Sequence, residues 1–380
     1  MKQASIRNII WLFLLTRLML VIVTYFGYIL LTQPKFSSAP VDAATLLTSW
    51  NHWDGANYVR IAQYGYQTRF DVAFFPLFPL LIALIAHVLG SWSYLIVGVL
   101  LSNAALLGAL IVLYQIVVDA TDDRTALRTV LYLCIFPTAF YFFAPYNESL
   151  FLLLITGSFL AMRRQRWVVA GILGLLAALT RSAGVLLIVP YLYELWVARE
   201  RVLANRYALL RGILPLFLIP LGTLLYSVYC WHIRGDPLAF ATLQYHWGRH
   251  LSWPWQGIWH GLFNLFWNQP FGSSNEAHVL LDLSATFGFL LLTILGWRRL
   301  RGSYSLWMIM LLVYILLSPS TDIPDALQSN QRFVLEMFPG FITLAILGVQ
   351  HPRLHQTLLM VFPPLLATLS ILFIMNRWLV

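Results

Sequence analysis

Along the chain, long apolar runs alternate with short polar segments at a spacing that soluble domains do not show. The runs lie near 9–31, 94–118, 127–144, 148–162, 167–180, 184–198, 212–231, 280–297, 304–319, 333–350 and 357–375. Each approaches the ~20 residues that a helix needs to cross a hydrocarbon core, so the pattern predicts an all-α polytopic transmembrane helix bundle of about 11 spans. Two polar intervals are long, about 32–93 and about 232–279, and almost nothing is left over for a soluble domain. The expectation is a single integral membrane domain over 1–380. Within the first interval, "FFPLFPLLIALIAHVLG" has Pro76 and Pro79 at its start and reads as a short helix lying along or dipping into the interface.

Composition agrees: 60% of residues are hydrophobic and 10% charged, with mean hydropathy +0.75, where soluble domains carry about a quarter charged. Lys2 and Arg7 precede the first run, and "SSA" at 37–39 resembles a cleavage site, but a run from Ile9 to Leu31 that contains Arg17 reads as a retained span. The net charge of +9 does not indicate nucleic acid, because the basic residues sit in small clusters between spans, not in a stripe. With the N-terminus in the cytoplasm, about two thirds of the Lys and Arg fall on the inner side, as the positive-inside rule favours. That topology puts the "NRWLV" end and both long intervals outside. Two cysteines, Cys134 and Cys230, form no framework, and His52, His232, His246, His250 and His260 show no metal-ligand spacing. No cofactor is expected.

Asp54 is the conspicuous acid of the first outer interval, set in "SWNHWDGANYVRIAQYGY". Gly55–Tyr64 reads as a helix ended by Gly65, with Tyr58, Ile61 and Ala62 on one face and Asp54 as N-cap. Capping and chemistry are compatible, since a helix N-terminus keeps a carboxylate ionised and able to take a proton from an alcohol. Trp50, Trp53 and Tyr58 suit either sugar stacking or interfacial anchoring. Asp71, before the Phe-Phe-Pro run, is a weaker candidate.

The segments "HWDGANYVRIAQYGY", "AFFPLFPLL", "FPTAFYFFAPYNESLF", "LTRSAG" and "QSNQRFVLEMFP", in that order over 52–339, resemble the PIG-V family of mannosyltransferases and its bacterial relatives. The resemblance implies a GT-C-like glycosyltransferase, with its catalytic acid in the first outer loop, and Asp54 is the matching position. It implies a polyprenyl- or dolichyl-phosphate sugar donor, a glycan or lipid acceptor, and an active site on the extracytoplasmic face of the bilayer. Mannose is the expected hexose and inversion the expected outcome. A lipid phosphate is already a good leaving group, so one base and cations for the phosphate suffice. Arg60, Arg181 and Arg332 lie beside these segments and suit phosphate through the planar guanidinium fork. A solvated helix face is the alternative for Arg60, and snorkelling for Arg181 and Arg332. Glu148 matches a Tyr-Ser-Glu-Ser segment in which Asn147 replaces the first Ser, and with His52, Trp53 and Tyr58 it is a candidate for supporting the base or the acceptor. A polytopic transporter or lipid flippase is the rival reading, but no repeated halves with matching helix breaks are visible.

Overall fold

A computed structural model describes residues 3–90 and 93–377, so Lys2 and the end of "NRWLV" lie outside the described residues. In chain order its helices are α1 (Gln3–Thr32), α2 (Ala43–Thr48), α3 (Trp53–Tyr64), α4 (Leu77–Val88), α5 (Tyr94–Val118), α6 (Asp123–Ile135), α7 (Glu148–Arg163), α8 (Trp167–Thr180), α9 (Ile188–Val197), α10 (Arg199–Val202), α11 (Arg206–Ile213), α12 (Leu218–Arg234), α13 (Ala239–Thr242), α14 (Pro254–Phe263), α15 (Ser274–Gly296), α16 (Gly302–Leu316), α17 (Asn330–Phe333), α18 (Phe338–Gln350) and α19 (Pro352–Ile374). Among the described residues there is no strand, only one isolated bridge between Arg249 and Ser320.

Among the described residues, five helical stretches are long and apolar enough to cross a bilayer: 5–32, 94–118, 206–234, 274–296 and 352–374. A sixth is bent, because 330–336 and 338–350 meet at 82°. The expected count of eleven is not reached by these criteria. Prolines explain part of the difference. The run near 127–144 stops at Ile135, since Pro137 forces Phe136 into an extended conformation (φ −55°, ψ 142°) and a 3-10 turn, Ala139–Phe142, follows. The runs near 167–180, 184–198 and 304–319 form apolar helices of only 10–17 residues, as does α4, the short helix expected after Pro76.

The described chain divides into two compact units. Of the described residues, the first comprises 3–67, 78–90, 93–153 and 344–377; the second comprises 68–77 and 154–343. In the first unit α1 packs against α5, α6 and α19. Arg17 is buried on α1, where Nη1 donates to Asn103 Oδ1 at 3.3 Å and the rings of Phe13 and Phe143 flank its guanidinium. Asn103 in turn donates to the carbonyls of Val99 and Phe143. One intramembrane arginine thus fixes the segment after the Pro137 break.

In the second unit α8 and α12 meet through small residues. A Cβ on Gly222 would lie 2.5 Å from the Leu175 carbonyl oxygen, and one on Gly174 2.6 Å from Ile219 Cγ1. Close backbone approach through small residues is how helices associate where no water is expelled. Tyr226 on α12 donates to the carbonyls of Val72 and Phe74 at 2.8 and 3.0 Å, holding the Phe-Phe-Pro strap. α9 is clamped to the start of α16 by Arg301, whose Nε and Nη2 reach Glu194 at 2.5 and 2.6 Å while Ser303 donates to the same carboxylate. Gly222→Val is expected to lower the thermal midpoint in detergent, at a cost of about 1–3 kcal/mol for overpacking. Gly288→Ala, where a Cβ meets nothing within 4 Å, is the control that leaves it unchanged. Equal midpoints for both variants would refute the close α8–α12 packing.

Candidate functional site

The candidate acid Asp54 lies at the start of α3, in the first unit. His52 is extended (φ −118°, ψ 156°), and Trp53, the first residue of α3, follows at φ +47°. A left-handed tryptophan is strained and persists only where its surroundings hold it. Phe373 of α19 does so: its ring lies 5.1 Å from Trp53, 5.5 Å from Trp50 and 5.2 Å from Phe140. His52, not Asp54, occupies the cap position, and Asp54 lies in the first turn. The correction is a matter of one turn's entry: the backbone reaches helical geometry a residue or two before the glycine that the sequence suggested as its start. The dipole argument is unaffected, because first-turn acids feel the same field.

Asp54 is partly exposed, and the next residue, Gly55, is buried. A Cβ there would stand 2.8 Å from the Tyr146 ring and 3.2 Å from Pro145 Cγ. Tyr146 OH donates to the His52 carbonyl at 3.1 Å, and Ser102 Oγ donates to the Tyr146 carbonyl at 2.8 Å. The Asp54 turn therefore rests on "APYNES", the segment whose fully buried Glu148 opens α7. Burial lowers the pKa of His52, only partly offset by its hydrogen bond to the Ile374 backbone. A neutral imidazole donating to that carbonyl orients the turn; it is poorly placed to carry charge. Tyr58, Ile61 and Ala62 form the buried face foreseen from their spacing, with Tyr58 edge-on to Phe78 at 5.3 Å. Trp50 is also interior, donating to Thr24 Oγ1 at 3.0 Å. Arg60 donates to Asn57 Oδ1 at 3.2 Å, and Asn57 lies one turn beyond Asp54.

The cations gather in the second unit, around one ring. The guanidinium carbons of Arg181, Arg249 and Arg332 lie 5.3, 5.2 and 6.0 Å from the centroid of Phe333. Arg181 follows the last residue of α8, as expected, and pairs with the buried Glu336 at 2.7 Å. Arg332 does not open a long span. It sits on the single turn α17, ahead of the bend into α18, and is buried there. Three guanidinium groups and the Glu336 carboxylate are thus collected around the Phe333 ring. Sequence reasoning named Arg181 and Arg332 but missed Arg249 and Glu336. Glu336 stands inside the quoted "QSNQRFVLEMFP"; Arg249 carries no such signal beyond its place in a Trp- and His-rich stretch.

Asp71 proves to be a capping residue. Its buried carboxylate accepts from Thr68 N–H at 2.7 Å and Thr68 Oγ1 at 2.6 Å, closing the surface turn that leads into the Phe-Phe-Pro strap. Among the described residues no three His, Cys, Asp or Glu side chains are grouped to hold a metal ion.

Apolar spans and few charges define an integral membrane protein with a polytopic helical fold. The fold is similar to that of ArnT from Cupriavidus metallidurans bound to undecaprenyl phosphate, with a TM-score of 0.51 and 14% identity over 84% of this chain and 61% of that one. The family model described as Mannosyltransferase (PIG-V) matches residues 3–230, and the chain belongs to that family. GPI alpha-1,6-mannosyltransferase 2 of Cricetulus griseus is 28% identical over 55% of this chain and 43% of its own length; that of Mus musculus is 32% identical over 37% and 30%. The matched stretches span less than half the length of these relatives. Asp54, Glu148 and Arg181 lie inside the residues matched by the family, whereas Arg249, Arg332 and Glu336 lie beyond them.

Gly55→Ala puts the turn to a test. Alanine favours a helix interior by about 1 kcal/mol over glycine, so a free helix start would tolerate it. Contact with Tyr146 and Pro145 predicts instead a lower thermal midpoint and a loss of activity through displacement of Asp54. A variant as stable and active as wild type would show that the turn is not fixed by this packing.

Proposed function

We propose that this protein transfers a hexose, mannose by family, from a polyprenyl- or dolichyl-phosphate carrier to a glycan or lipid acceptor on the extracytoplasmic face of the membrane. The observation that carries the reading is the cluster of Arg181, Arg249 and Arg332 around Phe333. A phosphate on a lipid tail is the anion a membrane enzyme meets at span ends, and guanidinium forks bind its oxygens in pairs. Glu336 orients Arg181 and keeps the cluster's own repulsion in check.

In this reading Asp54 is the base. It accepts the acceptor's hydroxyl proton as that oxygen attacks the anomeric carbon, while the bond from that carbon to the phosphate oxygen breaks with inversion. The electron pair leaves with the lipid phosphate, whose charge the arginines stabilise. Arg60 is a further phosphate candidate through its place on α3. Glu148, His52, Trp53 and Tyr58 act on the placement of the base, each through the contacts of the α3 turn. The positive-inside distribution of arginines supports the extracytoplasmic assignment.

Purified enzyme in detergent, supplied with a polyprenyl-phosphate hexose or with the matching nucleotide hexose, each with and without chelator, tests the donor. Turnover from the lipid donor in chelator is expected, and turnover from the nucleotide sugar alone would overturn the reading. Asp54→Asn keeps the shape of the turn but removes the proton acceptor, so a loss of about 100-fold or more is expected with an unchanged thermal midpoint. Activity above about a tenth of wild type would make Asp54 structural.

A further inference from the structure

Asp282 lies on α15, within a candidate membrane span, and is completely buried. Its Oδ1 accepts the Gln331 backbone N–H at 2.7 Å, and the Ser329 N–H also donates to the carboxyl. One turn further along α15, Thr286 Oγ1 accepts from the Asn330 side chain at 2.9 Å. These bonds hold Ser329 at φ +78°, a left-handed conformation that costs a non-glycine residue energy. They therefore fix the turn that starts α17 and carries Arg332. The remaining oxygen, Asp282 Oδ2, receives no N–H or O–H donor among the described residues. The carboxyl of Asp325 is in hydrogen-bonding contact with that of Asp282 and accepts the Leu327 N–H at 3.2 Å through its own Oδ1. Two carboxylates cannot meet in a buried place while both are ionised; a proton between them turns repulsion into a hydrogen bond.

We propose that Asp282 and Asp325 share one proton and thereby latch the 325–331 segment to α15, making both carboxyls positioning residues for Arg332. The assignment to catalysis rests on the phosphate role proposed for Arg332; the latch itself does not. Burial raises the Asp325 carboxyl above the usual carboxylate range, in keeping with a retained proton. The charge that acts on the pair from nearby is that of His278, one turn before Asp282 on α15. Of the other elements packed on α15, α14 contributes His260, α16 Tyr304 and Tyr314, α17 Arg332 and the following turn Glu336, while the 264–268 segment has no ionisable side chain. The folded protein holds a proton that the unfolded chain releases near pH 4, so the latch is complete at low pH. Its contribution is lost as pH rises through the pair's own pKa.

Asp282→Asn and Asp325→Asn each keep the pair's single negative charge and replace the shared proton by an amide N–H that does not titrate. Thermal midpoints and lipid-donor KM are to be measured across about pH 5–9 for wild type, both Asn variants and Asp325→Ala. In wild type the midpoint is expected to fall and the KM to rise by about tenfold toward alkaline pH, with kcat moving less. Both Asn variants should flatten these profiles, and Asp325→Ala should show the raised KM at every pH. Asn variants that keep the wild-type pH dependence of the midpoint would overturn the shared proton. Flattened midpoints with a KM untouched in Asp325→Ala would overturn the positioning role. If wild type does not use the lipid donor at all, the donor reading fails, while the midpoint profiles still decide the latch.

Discussion

The guanidinium groups of Arg181, Arg249 and Arg332 share one phenylalanine ring, and the first of them pairs with the buried Glu336 carboxylate. Cations taken out of water lose several kcal/mol of hydration each, and here they also repel one another. Arg181 recovers part of that through Glu336 at 2.7 Å, and all three gain from the face of Phe333. The second unit is built to contain the remainder. Arg249 is drawn in by a bridge to Ser320 and a bond to the Gln328 carbonyl. Asn264 reaches the Pro324 carbonyl at 2.7 Å, and Gly257 packs against Pro319 and Leu327. The loop that leads to Arg332 is thus clasped on several sides.

The first unit solves a different problem, that of presenting one carboxylate at a fixed angle. Its means are aromatic. Phe373 fills the space among Trp50, Trp53, Phe140 and Tyr146, and the packing offsets the strained φ at Trp53. Gly55 allows the Tyr146 ring to come close, and the Tyr146 hydroxyl secures the His52 carbonyl. In the proposed mechanism, preorganisation of this kind sets the angle at which Asp54 meets the acceptor hydroxyl.

Much of this was legible from residues alone. The apolar runs revealed a helical membrane protein, the spacing of Tyr58, Ile61 and Ala62 revealed the buried face of α3, and Gly65 marked its end. Arg181 and Arg332 stood out because they lie beside segments that resemble the family and because a guanidinium fork suits phosphate. What the sequence hid depends on contacts distant along the chain. Arg249 joins the cluster only because the 248–252 segment pairs with 317–320, and Asp282 resembles any intramembrane acid until Asp325 is seen opposite it. Span count was obscured for another reason: hydropathy does not register where a proline or a turn such as 334–336 breaks an apolar run.

The central claim is that the arginines around Phe333 form one phosphate site. Binding of a sugar-free polyprenyl phosphate to the purified protein, measured by calorimetry for wild type and for Arg249→Gln, tests it most directly, because Arg249 lies outside every motif that suggested the function. One bound lipid per protein and a dissociation constant at least about tenfold weaker in the variant are expected, the loss appropriate to one charge-assisted hydrogen bond. Equal affinity for wild type and Arg249→Gln would contradict the account.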